Sequence, residues 1–170
     1  VVSAFDVITI NESNWAQLRD VRLEMLADTP LAYVERLAEA QAHGEDEWRF
    51  RARRAASPGS IGVAAVEPGS DRFIAVMHGA TFRDDGRPLL VSVYVAPGYR
   101  GRQHGVADAL LDRVEAWARA EGHAELYLQV HESNQRAIGF YRRRGYLCTG
   151  VTEPYPLDES QTELEMKVAL

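Results

Sequence analysis

Three consecutive segments restrict the fold more than anything else in this chain. They are LLVSVYVA (Leu89 to Ala96), a helical run from Gly105 to Glu121, and ELYLQV (Glu125 to Val130). The first and third are short, apolar and bounded by turn residues or charge, which is strand chemistry. Between them Val106, Ala109, Leu110, Val114, Trp117 and Ala118 recur on one helical face. Strand, helix and strand in that order make a crossover unit. The two strands must then run parallel, joined by the right-handed connection that strand twist imposes.

The rest of the chain reads differently. FDVITI (Phe5 to Ile10) is a first strand, and Asn11 and Ser13 offer helix caps after it. Trp15, Leu18, Val21, Met25 and Leu26 follow at helical spacing until the DTP break at Asp28 to Pro30. A second helical stretch spans Val34 to Ala42, and a third Asp46 to Ala56, ended by SPGS. IGVAAVE (Ile61 to Glu67), RFIAVMHGATF (Arg72 to Phe82) and the Leu89 strand are separated only by PGSD and DDGRP, which predicts an antiparallel meander. A helix covers Ser133 to Arg144, then YLCTGV is a strand, EPYPLDES a loop, and TELEMKVAL a cleanly alternating last strand. The expected class is α/β with a mixed sheet, mostly antiparallel, with helices on both faces. One domain over residues 1–170 accommodates this.

Nineteen basic against 25 acidic residues give a net charge of -6, which argues against a nucleic-acid partner. The longest apolar stretch, Leu89 to Ala96, is too short to span a bilayer, so no membrane partner is expected. No secretion signal opens the chain, although it starts at Val1 rather than Met, which leaves processing or trimming open. Cys148 is the single cysteine and lies in a strand-like alternation. It predicts a buried, unreactive thiol and, without a disulfide framework, a cytoplasmic setting. No metal-ligand pattern is present in the sequence.

The junction VAPGYRGRQHGVADALL (Val95 to Leu111) leads from a strand into a helix N-terminus. Such a junction favours anions, because unpaired N–H groups and the helix dipole point the same way. Gly101 and Gly105 permit close backbone approach, and Arg100, Arg102 and His104 add charge. There is no G-K-[ST] and no G-x-G-x-x-G. A pyrophosphate that is held but not transferred fits best, as on a carrier such as coenzyme A.

RQHGVA (Arg102 to Ala107) matches the pattern [Q/R]-x-x-G-x-[G/A], and NQRAIGFYRRRGY (Asn134 to Tyr146) matches N-x-x-A-x-x-[FL]-Y-x-x-x-G-[FY]. With VYVAP before the first motif, the chain resembles the GNAT superfamily of N-acetyltransferases. The resemblance covers nearly the whole chain and is least specific before Gly59. It implies a GNAT fold, in which one central parallel strand pair splays around acetyl-CoA. It further implies acetyl transfer to a primary amine by direct attack in a ternary complex. The acceptor would be a small-molecule or peptide amine. A catalytically silent CoA-binding sensor or scaffold is the alternative. Dimers are common in the family, and TELEMKVAL would either pair at an edge, which would allow a homodimer, or lie inside the sheet.

The resemblance assigns Val93, Tyr94 and Val95 to main-chain contacts with the cofactor, on a bulged strand. Arg100, Gly101, Arg102, Gln103, His104, Gly105, Val106 and Ala107 would surround the pyrophosphate. The path from Pro97 to Gly105 is about two residues longer than the family's, so either Arg100 or Arg102 is the phosphate ligand. Asn134, Ala137 and Phe140 would flank the cofactor, with Phe140 also a core candidate. Tyr141 matches the family tyrosine proposed to protonate the departing thiolate. Since a thiol of pKa about 8.5 leaves readily and a phenol near 10 is a modest acid, Tyr141 would serve chiefly as a hydrogen-bond donor to sulfur. Arg142, Arg143 and Arg144 are expected to face solvent.

The base is not evident. Gln129 stands where related enzymes often carry a glutamate and cannot take a proton. His131, His78, Tyr94 and Glu132 are further candidates. Tyr33 and Glu35 fall in the segment that would wall the acceptor site, and are substrate-binding candidates together with Gln129 and His131.

Overall fold

The computed structural model describes residues 5–81 and 84–170. In chain order the strands and α-helices are β1 (Asp6–Thr9), α1 (Trp15–Asp28), α2 (Leu37–Gln41), α3 (Glu45–Ala55), β2 (Ser60–Val66), β3 (Phe73–Ala80), β4 (Leu89–Val95), α4 (Val106–Ala120), β5 (Glu125–His131), α5 (Gln135–Arg143), β6 (Leu147–Tyr155) and β7 (Asp158–Ala169). The seven strands form one sheet in the order β1-β2-β3-β4-β5-β7-β6. β1 to β4 are antiparallel neighbours, β4 and β5 run parallel, and β5, β7 and β6 are antiparallel.

Helices cover both faces, and two glycines show how. A Cβ on Gly62 would meet Ala55 of α3 at 2.9 Å, while one on Gly79 would meet Trp117 of α4 at 2.7 Å. Gly62 pairs with His78, the neighbour of Gly79, so α3 and α4 lie against opposite faces. Only glycine lets each helix sit this close. The core runs from Leu18, Val21 and Met25 of α1 through the central strands to Leu110, Leu111 and Val114 of α4.

The parallel pair is short. Leu89 matches Tyr127 and Leu90 matches Leu128, and the register ends there. Beyond Leu90 the strands separate. On its other side β4 stays paired with β3, but Ser92 and Val93 together oppose Met77, because His78 pairs with Val91 and Val76 with Tyr94. This is the expected bulge. Ser92 takes φ 54, the one positive φ outside glycine among the described residues.

Several expectations are corrected. EPYPLDES is no loop: β6 continues to Tyr155, which pairs with Asp158 across a two-residue turn. Pro154 is tolerated within it because β6 is an edge strand with one partner. Of the two places open to TELEMKVAL the internal one is taken: residues 162–169 lie in β7, between β5 and β6, and offer no free edge. Cys148 is exposed rather than buried. A register shift between Cys148 and Thr152 breaks the alternation there, and nothing covers that edge in the described chain. The helix expected from Val34 begins only at Leu37, after a 3-10 turn at Pro30–Ala32. Phe82, the last residue of an expected strand, falls outside the described residues.

Candidate active site

The separation of β4 from β5 leaves backbone groups of β4 without a strand partner on that side. Ala96 N–H donates to Ile74 of β3 over 2.8 Å, so alternate residues Val93 and Val95 turn their polar groups away from β3. Two contacts bear this out. Val93 carbonyl accepts from Tyr33 Oη at 2.7 Å, and Val95 carbonyl accepts from Arg100 Nε at 2.7 Å. The N–H groups of the same two residues therefore face the gap.

A cavity of about 600 Å³ fills the gap. Val93, Tyr94 and Val95 line one side, Gln129, Val130 and His131 of β5 the floor, and Asn134, Ala137, Phe140 and Tyr141 the other side. Arg100, Gly101, Arg102, Ala107 and Asp108 line the end nearest α4. Of the sequence candidates, Gln103, His104, Gly105 and Val106 lie behind this lining. Gln103 Nε2 reaches Arg100 carbonyl at 3.4 Å, and the His104 ring sits edge-on to Tyr99 at 6.4 Å. Val106 is core, with 1% exposure.

Gly105 acts through its backbone. It is the N-cap of α4 with φ 66, and no side chain caps the helix, so the first N–H groups of a 15-residue helix stay available. A Cβ on Gly105 would meet nothing within 4 Å, so the space above the helix start is open. Arg100 is committed elsewhere: besides Val95, it pairs with Asp28 and stacks on Tyr94 at 5.7 Å. Arg102 is exposed at the cavity mouth and makes no ion pair among the described residues.

On the α5 side, Asn134 Oδ1 caps the helix by accepting from Ala137 N–H at 3.2 Å. Tyr141 is 5% exposed. Burial, and secondarily Tyr33, push its phenol well above the usual tyrosine range. Tyr141 therefore stays protonated and can donate. The arginines after it do not all face solvent. Arg143 grips Asp108 with two bonds of 3.1 and 3.0 Å, and Arg144 contacts Asp108, Asp112 and Glu115. They clamp α5 to α4, because the carboxylates on α4 lie opposite the last turn of α5.

The acceptor candidates divide. Tyr33 lines the cavity at 7% exposure. Glu35 lies outside the lining, held by Arg22 at 2.8 Å and Arg51 at 2.9 Å. Though burial alone would raise it, hydrogen bonds from Arg51 and Arg22 bring its carboxyl down to about 2, so it is no base. Gln129 Nε2 donates to Glu153 Oε2 at 2.6 Å. In His131, Nδ1 accepts from Ser133 N–H at 3.2 Å, which leaves Nε2 to donate to Gln161 Oε1 at 2.6 Å. Both ring nitrogens are occupied. Tyr94 lines the cavity but turns its hydroxyl to Glu24 at 3.0 Å, and His78 lies in a different cavity. Glu132 is exposed and outside the lining.

The sequence reading missed Tyr99, Asp108, Arg136 and Arg143 as lining residues. Arg136 and Arg143 lie inside the second motif and were legible there. Tyr99 and Asp108 flank the first motif, but only the folded chain brings them to the cavity. No cluster of three or more metal-ligating side chains occurs among the described residues, and no helix there is long and apolar enough to cross a membrane.

The model of the Acetyltransferase (GNAT) family matches residues 21–146. An uncharacterized N-acetyltransferase of Mycobacterium tuberculosis is 37% identical over 76 residues, 44% of this chain and 47% of that protein. The match thus spans about half the length of that curated relative. In fold, a GNAT-family acetyltransferase from Streptococcus pneumoniae superposes with TM-score 0.81 at 16% identity, covering 98% of this chain and 99% of the other. A putative acetyltransferase from Salmonella typhimurium, solved with acetyl-CoA, superposes with TM-score 0.77 at 16% identity, covering 98% and 94%.

Proposed function

The chain belongs to the Acetyltransferase (GNAT) family, and from that premise we propose that it moves an acetyl group from acetyl-CoA to a primary amine by direct attack in a ternary complex. The observation that carries this reading is the gap beyond Leu90, where Val93 and Val95 present unshared N–H groups to a 600 Å³ cavity. The residues fit the donor along its length. The gap suits an extended pantetheine arm pairing like an added strand. The uncapped start of α4, beside Arg102, suits its pyrophosphate.

Acetyl-CoA supplies an activated thioester. The backbone N–H of Val95, which faces the gap where that of Tyr94 faces β3, polarises its carbonyl. The amine nitrogen forms the new N–C bond as the C–S bond breaks. The nitrogen loses one proton and the sulfur gains one. Tyr141, protonated and buried beside the gap, donates to the departing sulfur. Gln129 and His131 position the amine or a water rather than accept its proton, since each is already hydrogen-bonded. An α-amine, with pKa near 8, needs little help at neutral pH, whereas a lysine near 10.4 needs a water chain. The whole 170-residue chain acts as one domain in this reading.

Thiol release from acetyl-CoA against a panel of primary amines tests the proposal. Turnover that depends on amine and on Tyr141 supports it. Saturable CoA binding with no turnover across the panel would instead favour a silent sensor module, a reading that Gln129 in place of a carboxylate mildly supports.

A further inference from the structure

A second cavity, about 470 Å³, opens between α1, α3 and the strands β2 to β4. It adjoins the first. Val91 lines both, and the consecutive bulge residues Ser92 and Val93 line the second and the first respectively. The two spaces thus meet along β4 at its bulge.

The second cavity is cationic. Arg22, Arg51 and Arg54 line it. Glu35 serves both Arg22 and Arg51, and Glu47 takes Arg51 Nε at 2.7 Å. Arg54 makes no ion pair among the described residues and packs over Phe50 at 5.6 Å. Three guanidinium groups therefore face two carboxylates. Arg51 is saturated by its partners, so the surplus rests on Arg22 and Arg54. Arg22 stands at the junction. Its guanidinium stacks on Tyr33 at 5.4 Å, and its Nη1 lies 3.4 Å from Ser92 Oγ.

His78 lines the same cavity. Its Nδ1 is sealed from solvent and has no hydrogen-bond partner. A buried polar atom left unpaired is uncommon, and this one is closed off from the cavity, so no ligand there reaches it. Burial, then the charges of Arg22 and Arg54, hold the imidazole at about 4, so it is neutral near pH 7.

Building on the acetyl-transfer reading, we propose that the acceptor is a primary amine bearing a carboxylate. Arg22 and Arg54 hold that carboxylate in the second cavity, and the amine passes the β4 bulge toward Val93. An amino-acid-like acceptor has the two groups this arrangement requires. Planar guanidinium groups suit carboxylate geometry and remain charged throughout the working pH range.

The test follows thiol release with the common amino acids and with their amides. Amidation makes the amine less basic, so intrinsic reactivity at neutral pH favours the amide. We expect at least one acid to exceed its amide in kcat/KM by at least about tenfold, through KM. Arg22→Ala and Arg54→Ala should each raise KM for the acid more than for the amide, and Arg22→Lys should recover part of the preference. Because Arg22 also holds Glu35, Arg54→Ala is the decisive variant, its fold checked by thermal unfolding and by unchanged acetyl-CoA affinity. Amides used as well as or better than acids by the wild type would overturn the proposal and leave acetyl transfer standing. So would equal losses on acid and amide in Arg54→Ala. If no amine turns over, binding of N-acetyl amino acids and their amides in the presence of CoA decides. Tighter binding of the acids, lost in Arg54→Ala, supports the carboxylate site, and no difference refutes it.

Discussion

The phenol of Tyr33 donates to the carbonyl of Val93 over 2.7 Å, fastening the bulged strand from the segment that follows α1. Tyr33 is itself held, since Tyr155 of β6 donates to its carbonyl at 3.0 Å. The donor side of the gap and the proposed acceptor wall are therefore one mechanical unit. Tyr33→Phe removes this bond and leaves Val93 carbonyl unpaired, which costs about 1 kcal/mol. We expect Tm to fall by about 2–4 °C, the shift that such a loss gives a chain of this size. KM for acetyl-CoA should rise severalfold, because Val93 is no longer fixed. Thermal unfolding and steady-state kinetics check both.

Tyr141→Phe should lower kcat by about a hundredfold, the low end for loss of a positioned proton donor. Affinity for acetyl-CoA should change little. Burial raises the phenol's pKa, so no alkaline fall in kcat below about pH 10 should trace to Tyr141. An unchanged kcat on the true acceptor would remove Tyr141 from the reaction.

Gly105 holds φ 66 where an added Cβ meets no protein atom. Gly105→Ala therefore pays only backbone strain within the fold, about 1 kcal/mol. The new methyl nevertheless stands at the start of α4, where the pyrophosphate is proposed to approach. We expect acetyl-CoA affinity to fall further than stability does. Equal small losses in both, by titration and denaturant unfolding, would place the phosphates elsewhere.

Arg102→Ala should weaken acetyl-CoA binding by about tenfold and flatten its salt dependence, as loss of one charge-assisted phosphate contact would. Arg100→Ala should instead act chiefly on stability, since Arg100 is tied to Asp28 and Val95 carbonyl. Titrations of both variants at two ionic strengths separate the two arginines.

Acid should destabilise the fold in two windows. His78 falls from 6.5 to about 4 in the folded protein, and Glu35 from 4.5 to about 2. Both folded values lie below the unfolded ones, so both contributions are full above the unfolded pKa and are lost as pH falls through the folded one. Stability should decline from about pH 6.5 to 4 through His78 and from about pH 4.5 to 2 through Glu35. Denaturant midpoints against pH check this, and Glu35→Gln should flatten only the lower window.

Much of this was legible in order and spacing. The strand–helix–strand unit from Leu89 to Val130 dictated a parallel pair, because a crossover helix leaves no other pairing for its strands. Gly105 and the charge around it marked an anion-favouring helix start by local chemistry, and the resemblance carried by the two motifs nominated Tyr141. What pairing and packing decide was not legible. Cys148 and Pro154 belong to an edge, and an edge is defined by a missing neighbour, which no local pattern records. Tyr33, Gln129 and His131 read as candidates, but only tertiary contacts show one bound to Val93 and the others already satisfied. The cationic cavity is wholly a tertiary product. Arg22, Arg54, His78 and Ser92 come from four elements, and they share one space only because α1 and α3 pack on the same face of a sheet that bulges at Ser92.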